Sequence, residues 1–248
     1  CSALTDVHIP SSLASIGFGA FSACGKLESI QIPDLVTMIE GSTFSYCSSL
    51  KKITLPQGLQ SIGDAAFFRC SSLAEVVLSS SLKEIGGSAF RECACLTELT
   101  LQEGLVKIGD YAFASCGRLS KLRLPSSLTE LGKGAFSSCL GLTEIELPAG
   151  IQQISDSLFE NCGGLQTISF PAELQSIGSY AFSSCSSLKA VKIPSKVTVI
   201  HEFAFYYCNS LTTVDFPEGL SEIGKYAFCG CHPRTTHQTG TKNPGACQ

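Results

Sequence analysis

The sequence of 248 residues has no tryptophan, a single methionine and only 15% charged residues, with a formal net charge of −4. No run of lysine or arginine stands out, so the charge pattern of a nucleic-acid-binding protein is absent. No stretch approaches 18 consecutive apolar residues, the usual length of a membrane-spanning helix. We therefore expect no nucleic-acid partner and no membrane insertion.

The N-terminus also lacks the charged-then-apolar pattern of a secretory signal. The chain opens at Cys1, in the middle of a repeated phrase. We expect the sequence to be an excerpt of a longer protein whose targeting segment lies elsewhere. No N-x-[ST] sequon is present, so one marker of a glycosylated ectodomain is missing as well.

Combinations of catalytic, cofactor-binding or metal-binding residues are missing too. No nucleophile recurs near His201, and "FCGCH" at residues 228–232 matches no standard zinc spacing. "GFGAFS" at residues 17–22 has Ser22 where a dinucleotide fingerprint needs its third glycine. The sequence predicts no catalytic residues, no cofactor, no metal and a protein that is not an enzyme.

What the chain does have is a strict repeat of 23 residues. Cysteine falls at positions 1, 24, 47, 70, 93, 116, 139, 162, 185, 208 and 231. Phenylalanine keeps the same step at Phe21, Phe44, Phe67, Phe90, Phe113, Phe136, Phe159, Phe182, Phe205 and Phe228. A fixed period of 20 to 50 residues is typical of solenoids, in which each unit stacks on its neighbours.

Each unit predicts a short strand followed by a short helical turn. Residues around Leu122 and Leu124 alternate apolar with polar and end at Pro125, which fits a strand paired with the same segment one repeat on. The steps of three from Phe113 through Cys116 to the following leucine suit one helical turn with an apolar inner side. Asp64, Asp110, Asp156 or Ser179 could cap such a turn. A recurrent glycine precedes these residues, where we expect positive φ, at positions 17, 63, 86, 109, 132, 178 and 224.

The ladder of aligned residues predicts the core. We expect the ten phenylalanines to be buried and the aligned cysteines to be reduced, small apolar spacers. Disulfide bonds along the ladder would need distortion, since in-register Cβ atoms are farther apart than disulfide geometry allows. Three cysteines, Cys95, Cys229 and Cys247, lie off the ladder.

The phrase "LxxIxIPxxLxxIGxxAFxxC" resembles the BspA-like class of leucine-rich repeats, and the resemblance covers residues 1–231. It implies an α/β repeat fold, a leucine-rich-repeat solenoid with one short parallel strand ladder and short helical turns in each 23-residue rung. We expect about ten repeats in residues 1–231 and a non-repeat, disordered tail in residues 232–248. Members of that class are described as surface adhesins or binding proteins, which implies a cell-surface or extracellular location.

The outward strand positions contain no aromatic residue, but they do carry charge. Glu144 and Glu146 share one face, as an acid–base pair would, yet Lys121 and Arg123 hold the matching positions one rung below. Glu98 precedes Lys121 in the same column. We expect this alternation to be cross-strand charge pairing.

Aromatic residues concentrate instead in and near the position before Ala-Phe. Such a cluster is typical of a binding surface, but the sequence favours the alternative, a packing seam on the side opposite the strands. The candidate binding residues are Tyr111, Tyr180, Phe203, Tyr206, Tyr207 and Tyr226.

The sequence as a whole predicts a non-enzymatic interaction module, adhesin-like, secreted or at a cell surface, with a protein or glycan partner. An intracellular scaffold in the cytoplasm and an accessory binding domain of a larger enzyme are the alternatives. Neither end carries a dedicated cap, so edge-to-edge self-association is also expected if the chain ends here.

Overall fold

A computed structural model describes residues 1–231 and the short strand Arg234–Thr235. The chain winds as a solenoid of stacked rungs, where a rung is the 23-residue unit from one ladder cysteine to the residue before the next. The rung Cys116–Ser138 is typical. It contains a three-residue strand, a two-residue strand and a segment of turns that leads to the next cysteine.

Two columns of parallel strands run along the solenoid. The three-residue column, the strand face, consists of β1 (Ser29–Gln31), β3 (Lys52–Thr54), β5 (Glu75–Val77), β7 (Glu98–Thr100), β9 (Lys121–Arg123), β11 (Glu144–Glu146), β13 (Thr167–Ser169), β15 (Ala190–Lys192) and β17 (Thr213–Asp215), with the two-residue β19 (Arg234–Thr235) after it. The second column consists of β2 (Met38–Ile39), β4 (Ser61–Ile62), β6 (Glu84–Ile85), β8 (Lys107–Ile108), β10 (Glu130–Leu131), β12 (Gln153–Ile154), β14 (Ser176–Ile177), β16 (Val199–Ile200) and β18 (Glu222–Ile223).

The pairing is parallel and in register, with each residue opposite its equivalent 23 positions on. Leu99 lies opposite Leu122 on the strand face, and Ile85 lies opposite Ile108 in the second column. The predicted parallel solenoid is confirmed. The prediction of a single strand ladder missed the second column, because a two-residue strand is too short to show the alternation that marks a strand.

Both columns are interrupted. The strand face divides into β1-β3-β5, β7-β9, β11-β13 and β15-β17-β19, and the second column divides between β10 and β12. Of the tail predicted for residues 232–248, only Arg234–Thr235 is described, and its backbone pairs with β17. The rest of that tail lies outside the described residues.

The predicted helical turns are wrong, since no helix occurs in residues 1–231 or 234–235. In the segment after Asp110, backbone N–H groups alternate between two partners. Ala112 donates to the carbonyl of Gly109 within its own turn, whereas Phe113 donates to the carbonyl of Ala135 in the next rung. Positive φ at Tyr111 and again at Ser115 prevents a continuous helix. These segments are stacked turns, bonded from rung to rung.

The glycine and aspartate predictions also need correction. Gly109 is one of the recurrent glycines, and positive φ is found at other positions. A Cβ atom at Gly109 would lie 2.6 Å from the backbone nitrogen of Gly87, so glycine is required by the close approach of two rungs. Asp110 does not cap its own turn. Its Oδ1 accepts a hydrogen bond from the backbone N–H of Lys133, one rung on, at 2.8 Å.

The core runs the length of the solenoid. Nine of the ladder phenylalanines, from Phe44 to Phe228, have no exposed side-chain surface, while Phe21 is partly buried. Their rings stack in one column, as in the pair Phe90 and Phe113, whose centroids are 5.3 Å apart with planes 2° from parallel. Offset stacking at such distances adds to the stabilisation from burial.

The ladder cysteines from Cys24 to Cys231 are buried and free. They are more than apolar spacers. The thiol of Cys116 donates to the carbonyl oxygen of Phe90 in the preceding rung at 3.2 Å, and the pattern recurs along the column. Of the cysteines off the ladder, Cys95 is free, Cys229 is disulfide-bonded, and Cys247 lies outside the described residues.

Candidate binding face

The turn segments form one side of the solenoid, which we call the turn face. Two columns of this face have positive φ in every rung. One column precedes the Ala-Phe pair and consists of Gly19, Ser42, Ala65, Ser88, Tyr111, Gly134, Ser157, Tyr180, Phe203 and Tyr226. The other precedes the ladder cysteine and consists of Ala23, Tyr46, Arg69, Glu92, Ser115, Ser138, Asn161, Ser184, Tyr207 and Gly230. Only the backbone conformation is common to all members, so the fold does not dictate their side chains.

Five of the six predicted binding residues meet at one end of the turn face. We call Tyr180, Phe203, Tyr206, Tyr207 and Tyr226 the C-terminal aromatic patch. Tyr180 and Phe203 stack with ring centroids 4.7 Å apart, and Tyr226 lies 5.3 Å from Phe203. Tyr206 packs edge-on against both Phe203 and Tyr207.

The C-terminal aromatic patch remains accessible to solvent. Tyr207 is 49% exposed, and its four neighbours are only partly buried. A hydrogen bond with Tyr207 raises the pKa of Tyr206 above its ordinary value, so the Tyr206 hydroxyl keeps its proton at physiological pH. Neutral tyrosines with exposed ring faces combine apolar contact with hydrogen bonding, as is typical of binding surfaces.

Tyr111, the sixth predicted residue, belongs to a different group. Gly134 and Ser157 occupy its column before Tyr180 is reached. Its ring lies 5.8 Å from the guanidinium carbon of Arg91, which also lies 5.9 Å from the ring of Phe68. Tyr111 therefore lies apart from the C-terminal aromatic patch, and its role in binding stays a prediction.

We call Tyr46, Phe68, Arg69, Arg91 and Tyr111 the arginine–aromatic patch. The guanidinium carbon of Arg69 lies 5.6 Å from the Tyr46 ring and 5.3 Å from the Phe68 ring. Sequence inspection missed this patch because its residues occupy three different columns. The sequence did offer one indication of this patch, because Tyr46 occupies the same column as Tyr207.

The strand face is charged and lacks aromatic residues, as expected. Lys121 pairs with Glu98 at 3.5 Å, and Lys52 pairs with Glu75 at 2.7 Å. Within the described residues, however, Glu144 and Glu146 form no ion pair with the rung below. The expected cross-strand pairing fails there because β9 and β11 belong to separate sheets.

A groove of about 820 Å³ opens at that interruption, lined by Arg123, Glu144, Glu146 and Phe170 among others. Its carboxylates are exposed and face solvent. Among the residues that line this groove, no polar side chain is buried.

Among the residues that the structure describes, no three His, Cys, Asp or Glu side chains are grouped to hold a metal ion. The described part of the chain contains no helix with the length and apolarity to span a bilayer. His201 is exposed, in a column otherwise dominated by glycine.

Comparisons with known proteins agree with this geometry. A family model described as a BspA type leucine rich repeat region matches residues 1–119 and 106–235, with six copies. A leucine-rich repeat protein of T. pallidum, TpLRR, is 32% identical over 65% of this chain and 78% of that chain, with a TM-score of 0.62. A leucine-rich repeat protein of Bacteroides ovatus is 32% identical over 93% of this chain and 77% of that chain, with a TM-score of 0.53.

A third solved structure is the pneumococcal vaccine antigen PcpA. It is 25% identical over 83% of this chain and 60% of that chain, with a TM-score of 0.56. No curated protein sequence matches the chain.

Proposed function

Since the chain belongs to the BspA-type leucine-rich repeat family, we propose that it is a non-enzymatic interaction module, secreted or held at a cell surface, that binds a protein or glycan partner through its turn face. The C-terminal aromatic patch is the contact that we assign to this binding. The observation that carries the proposal is the solvent-accessible group on three consecutive rungs in which Tyr180 stacks on Phe203 and Tyr226 packs at a tilt against Phe203.

The fold does not require aromatic side chains at these positions. Ser42, Ser88 and Ser157 hold the same column with the same positive φ. Three bulky aromatic residues in succession expose apolar area that serine would not, and exposed aromatic clusters are frequent anchors of protein interfaces. Binding is therefore a better account of the cluster than folding.

The surface location rests on likeness to a relative. PcpA is a vaccine antigen, and this chain shares its repeat fold at 25% identity. The likeness supports an adhesin-like role outside the cell, and it favours matrix proteins and glycans as partners over cytosolic ones.

The first experiment is binding of the full chain to immobilised extracellular-matrix proteins and glycans, with cytosolic extract in a parallel arm. We expect saturable, salt-tolerant binding to a matrix component. The triple variant Tyr180→Ser, Phe203→Ser and Tyr226→Ser should lose at least about 2 kcal/mol of binding free energy, as loss of a hot spot does. Its melting temperature should stay close to that of the parent, because serine fills this column in other rungs.

A matched control is the double variant Val77→Ser and Val106→Ser. It removes two side chains that are each 41% exposed but lie outside the patch, and it should bind like the parent. Equal affinity of the triple variant and the parent would remove the patch from the proposal. Capture of cytosolic proteins alone would favour the intracellular scaffold, and light scattering on the same samples tests edge-to-edge self-association.

A further inference from the structure

The arginine–aromatic patch adjoins a cavity that the proposed function does not use. Tyr46, Arg69, Glu92 and Ser115 occupy one column on four successive rungs, all with positive φ. Their backbones are fixed from rung to rung, since the N–H of Tyr46 donates to Phe68 at 2.7 Å and that of Arg69 donates to Arg91 at 2.9 Å. The four side chains therefore project from a rigid base.

Arg69 is held in place by Glu92 in the absence of a ligand, and Arg91 lies close to the same carboxylate. The Nε of Arg69 donates to Glu92 at 2.7 Å, while its guanidinium carbon lies within 5.6 Å of two ring centroids. The Nε of Arg91 lies 3.8 Å from the other oxygen of Glu92. A planar guanidinium stacked on rings loses little entropy when it binds a carboxylate.

The charge of the patch is not balanced. Two guanidinium groups share the single carboxylate of Glu92, and each guanidinium carries five N–H donors. Both arginine side chains are exposed by more than two fifths of their surface. The patch therefore offers directional donors and a net positive charge to an anionic ligand.

The adjoining cavity has a volume of about 410 Å³ and adds two further features. The Tyr46 ring, 45% exposed, forms one wall. The rest of the lining consists of Ser48, Ser71 and Ser115 beside Arg69, together with Glu92 and Ala94. An aromatic face, hydroxyl partners and a cation together suit a sugar ring that carries a carboxylate, because each part of such a ring finds its own partner.

We infer that this cavity is a second ligand site, separate from the C-terminal aromatic patch, and that it binds a carboxylated sugar unit of a glycan. The carboxylate contacts Arg69 and Arg91, the apolar face of the ring packs on Tyr46, and the ring hydroxyls bond to the serines. A sialic acid and a uronic acid share this chemistry, so the experiment must separate them.

The test is saturation-transfer NMR and calorimetry on the full chain with four probes: sialyllactose, lactose, a hyaluronan oligosaccharide and a heparin oligosaccharide. We expect saturable binding of sialyllactose or the hyaluronan oligosaccharide, at least tenfold tighter than lactose. Whichever of the two binds identifies the acid. The double variant Arg69→Gln and Arg91→Gln should weaken that binding at least tenfold, and Tyr46→Ala should reduce saturation transfer to the ring protons.

The matched control is Arg123→Gln, which removes an exposed arginine on the strand face and should leave binding unchanged. The melting temperatures of all variants show that the fold is kept. The inference is overturned if neither sialyllactose nor the hyaluronan oligosaccharide binds at millimolar concentration, if only the sulfated heparin oligosaccharide binds, or if the double arginine variant binds like the control. None of these results affects the test of the C-terminal aromatic patch, which lies on other rungs.

Discussion

Gly178 illustrates how closely successive rungs approach one another. A Cβ atom there would lie 2.7 Å from the carbonyl oxygen of Ile154 and 2.8 Å from the nitrogen of Asp156. The same position holds Ser155 one rung before and His201 one rung after. Glycine at position 178 therefore avoids a close contact with the backbone of the preceding rung.

We expect Gly178→Ala to lower the free energy of unfolding by about 1–3 kcal/mol, because the added methyl group overpacks against backbone that cannot move freely. Gly117→Ala is the control, since a Cβ atom there meets nothing within 4 Å. It should be neutral or slightly stabilising. Urea denaturation of both variants measures the difference, and equal stabilities would contradict the close-approach explanation.

The cysteine column makes the free energy of unfolding depend on pH in the alkaline range. Burial raises the pKa of the Cys47 thiol to about 11 and that of Cys116 and Cys162 to about 12, from an ordinary value of 9.0. Burial likewise raises the thiol pKa of five other ladder cysteines, namely Cys70, Cys93, Cys139, Cys185 and Cys208. The folded state therefore keeps its thiol protons at a pH where the unfolded state loses them.

Under reducing conditions, the free energy of unfolding should be steady between pH 7 and 8 and fall as pH rises through 9 towards 11. Each buried thiol contributes a slope of up to about 1.4 kcal/mol per pH unit. Urea titrations at several pH values measure the slope. Cys116→Ala should make it shallower, whereas Cys95→Ser, off the ladder and partly exposed, should leave it unchanged. A free energy of unfolding constant to pH 10 would show that the thiols are solvated.

At the scale of the element, the turn segment rather than either strand holds the largest side chain of each rung. Phe113 is fully buried between Phe90 and Phe136, at centroid distances of 5.3 and 5.6 Å. Phe18 has the same side chain but is 77% exposed.

Phe113→Ala should cost about 3–5 kcal/mol of stability, because it removes the ring and leaves a cavity between two stacked neighbours. Phe18→Ala should change stability by less than about 0.5 kcal/mol, as surface substitutions do. Thermal and urea unfolding of the two variants provide the comparison. Similar losses for both would contradict the stacked core.

The strand Lys121–Arg123 was foreseeable because apolar and polar residues alternate through Leu124 up to Pro125. The turn segment after Asp110 was not, since steps of three between apolar residues occur in a helix and in stacked turns alike. The difference lies in positive φ at Tyr111, and a tyrosine gives no hint of that conformation. The hydrogen bond that Asp110 accepts from Lys133 in the next rung could not be predicted either. An aspartate is suited both to capping its own turn and to bonding between rungs.

For the candidate site, contacts within one column were foreseeable from the sequence, whereas contacts between columns were not. Tyr180, Phe203 and Tyr226 lie 23 residues apart, so their contact follows from the period alone. The contacts of Arg91 with Tyr111 and of Arg69 with Phe68 join different columns. Such contacts depend on the angle between columns, which a linear repeat does not specify.

At the scale of the whole molecule, the repeating unit is 23 residues. Deletion or insertion of 23 residues therefore keeps every column aligned. Excision of residues 116–138 should leave a cooperatively folded chain, shortened by about 4.8 Å along its axis. Excision of residues 116–127 alone should abolish folding, because it joins the strand Glu130–Leu131 to a turn segment out of register. Circular dichroism and small-angle scattering distinguish the outcomes, and a folded product from both excisions would show that the register is not what holds the array.

The hydrogen bonds from one rung to the next, such as that from Phe113 to Ala135, also determine how the array responds to force. Tension applied to its two ends loads the bonds of the outermost rung first, since every rung contacts only its neighbours. The array therefore yields by peeling, one rung at a time, and each event releases up to about 80 Å of chain. A tethered protein of this build lengthens in steps under flow while the rungs behind the break remain folded, so it absorbs mechanical work without losing its remaining binding surface at once.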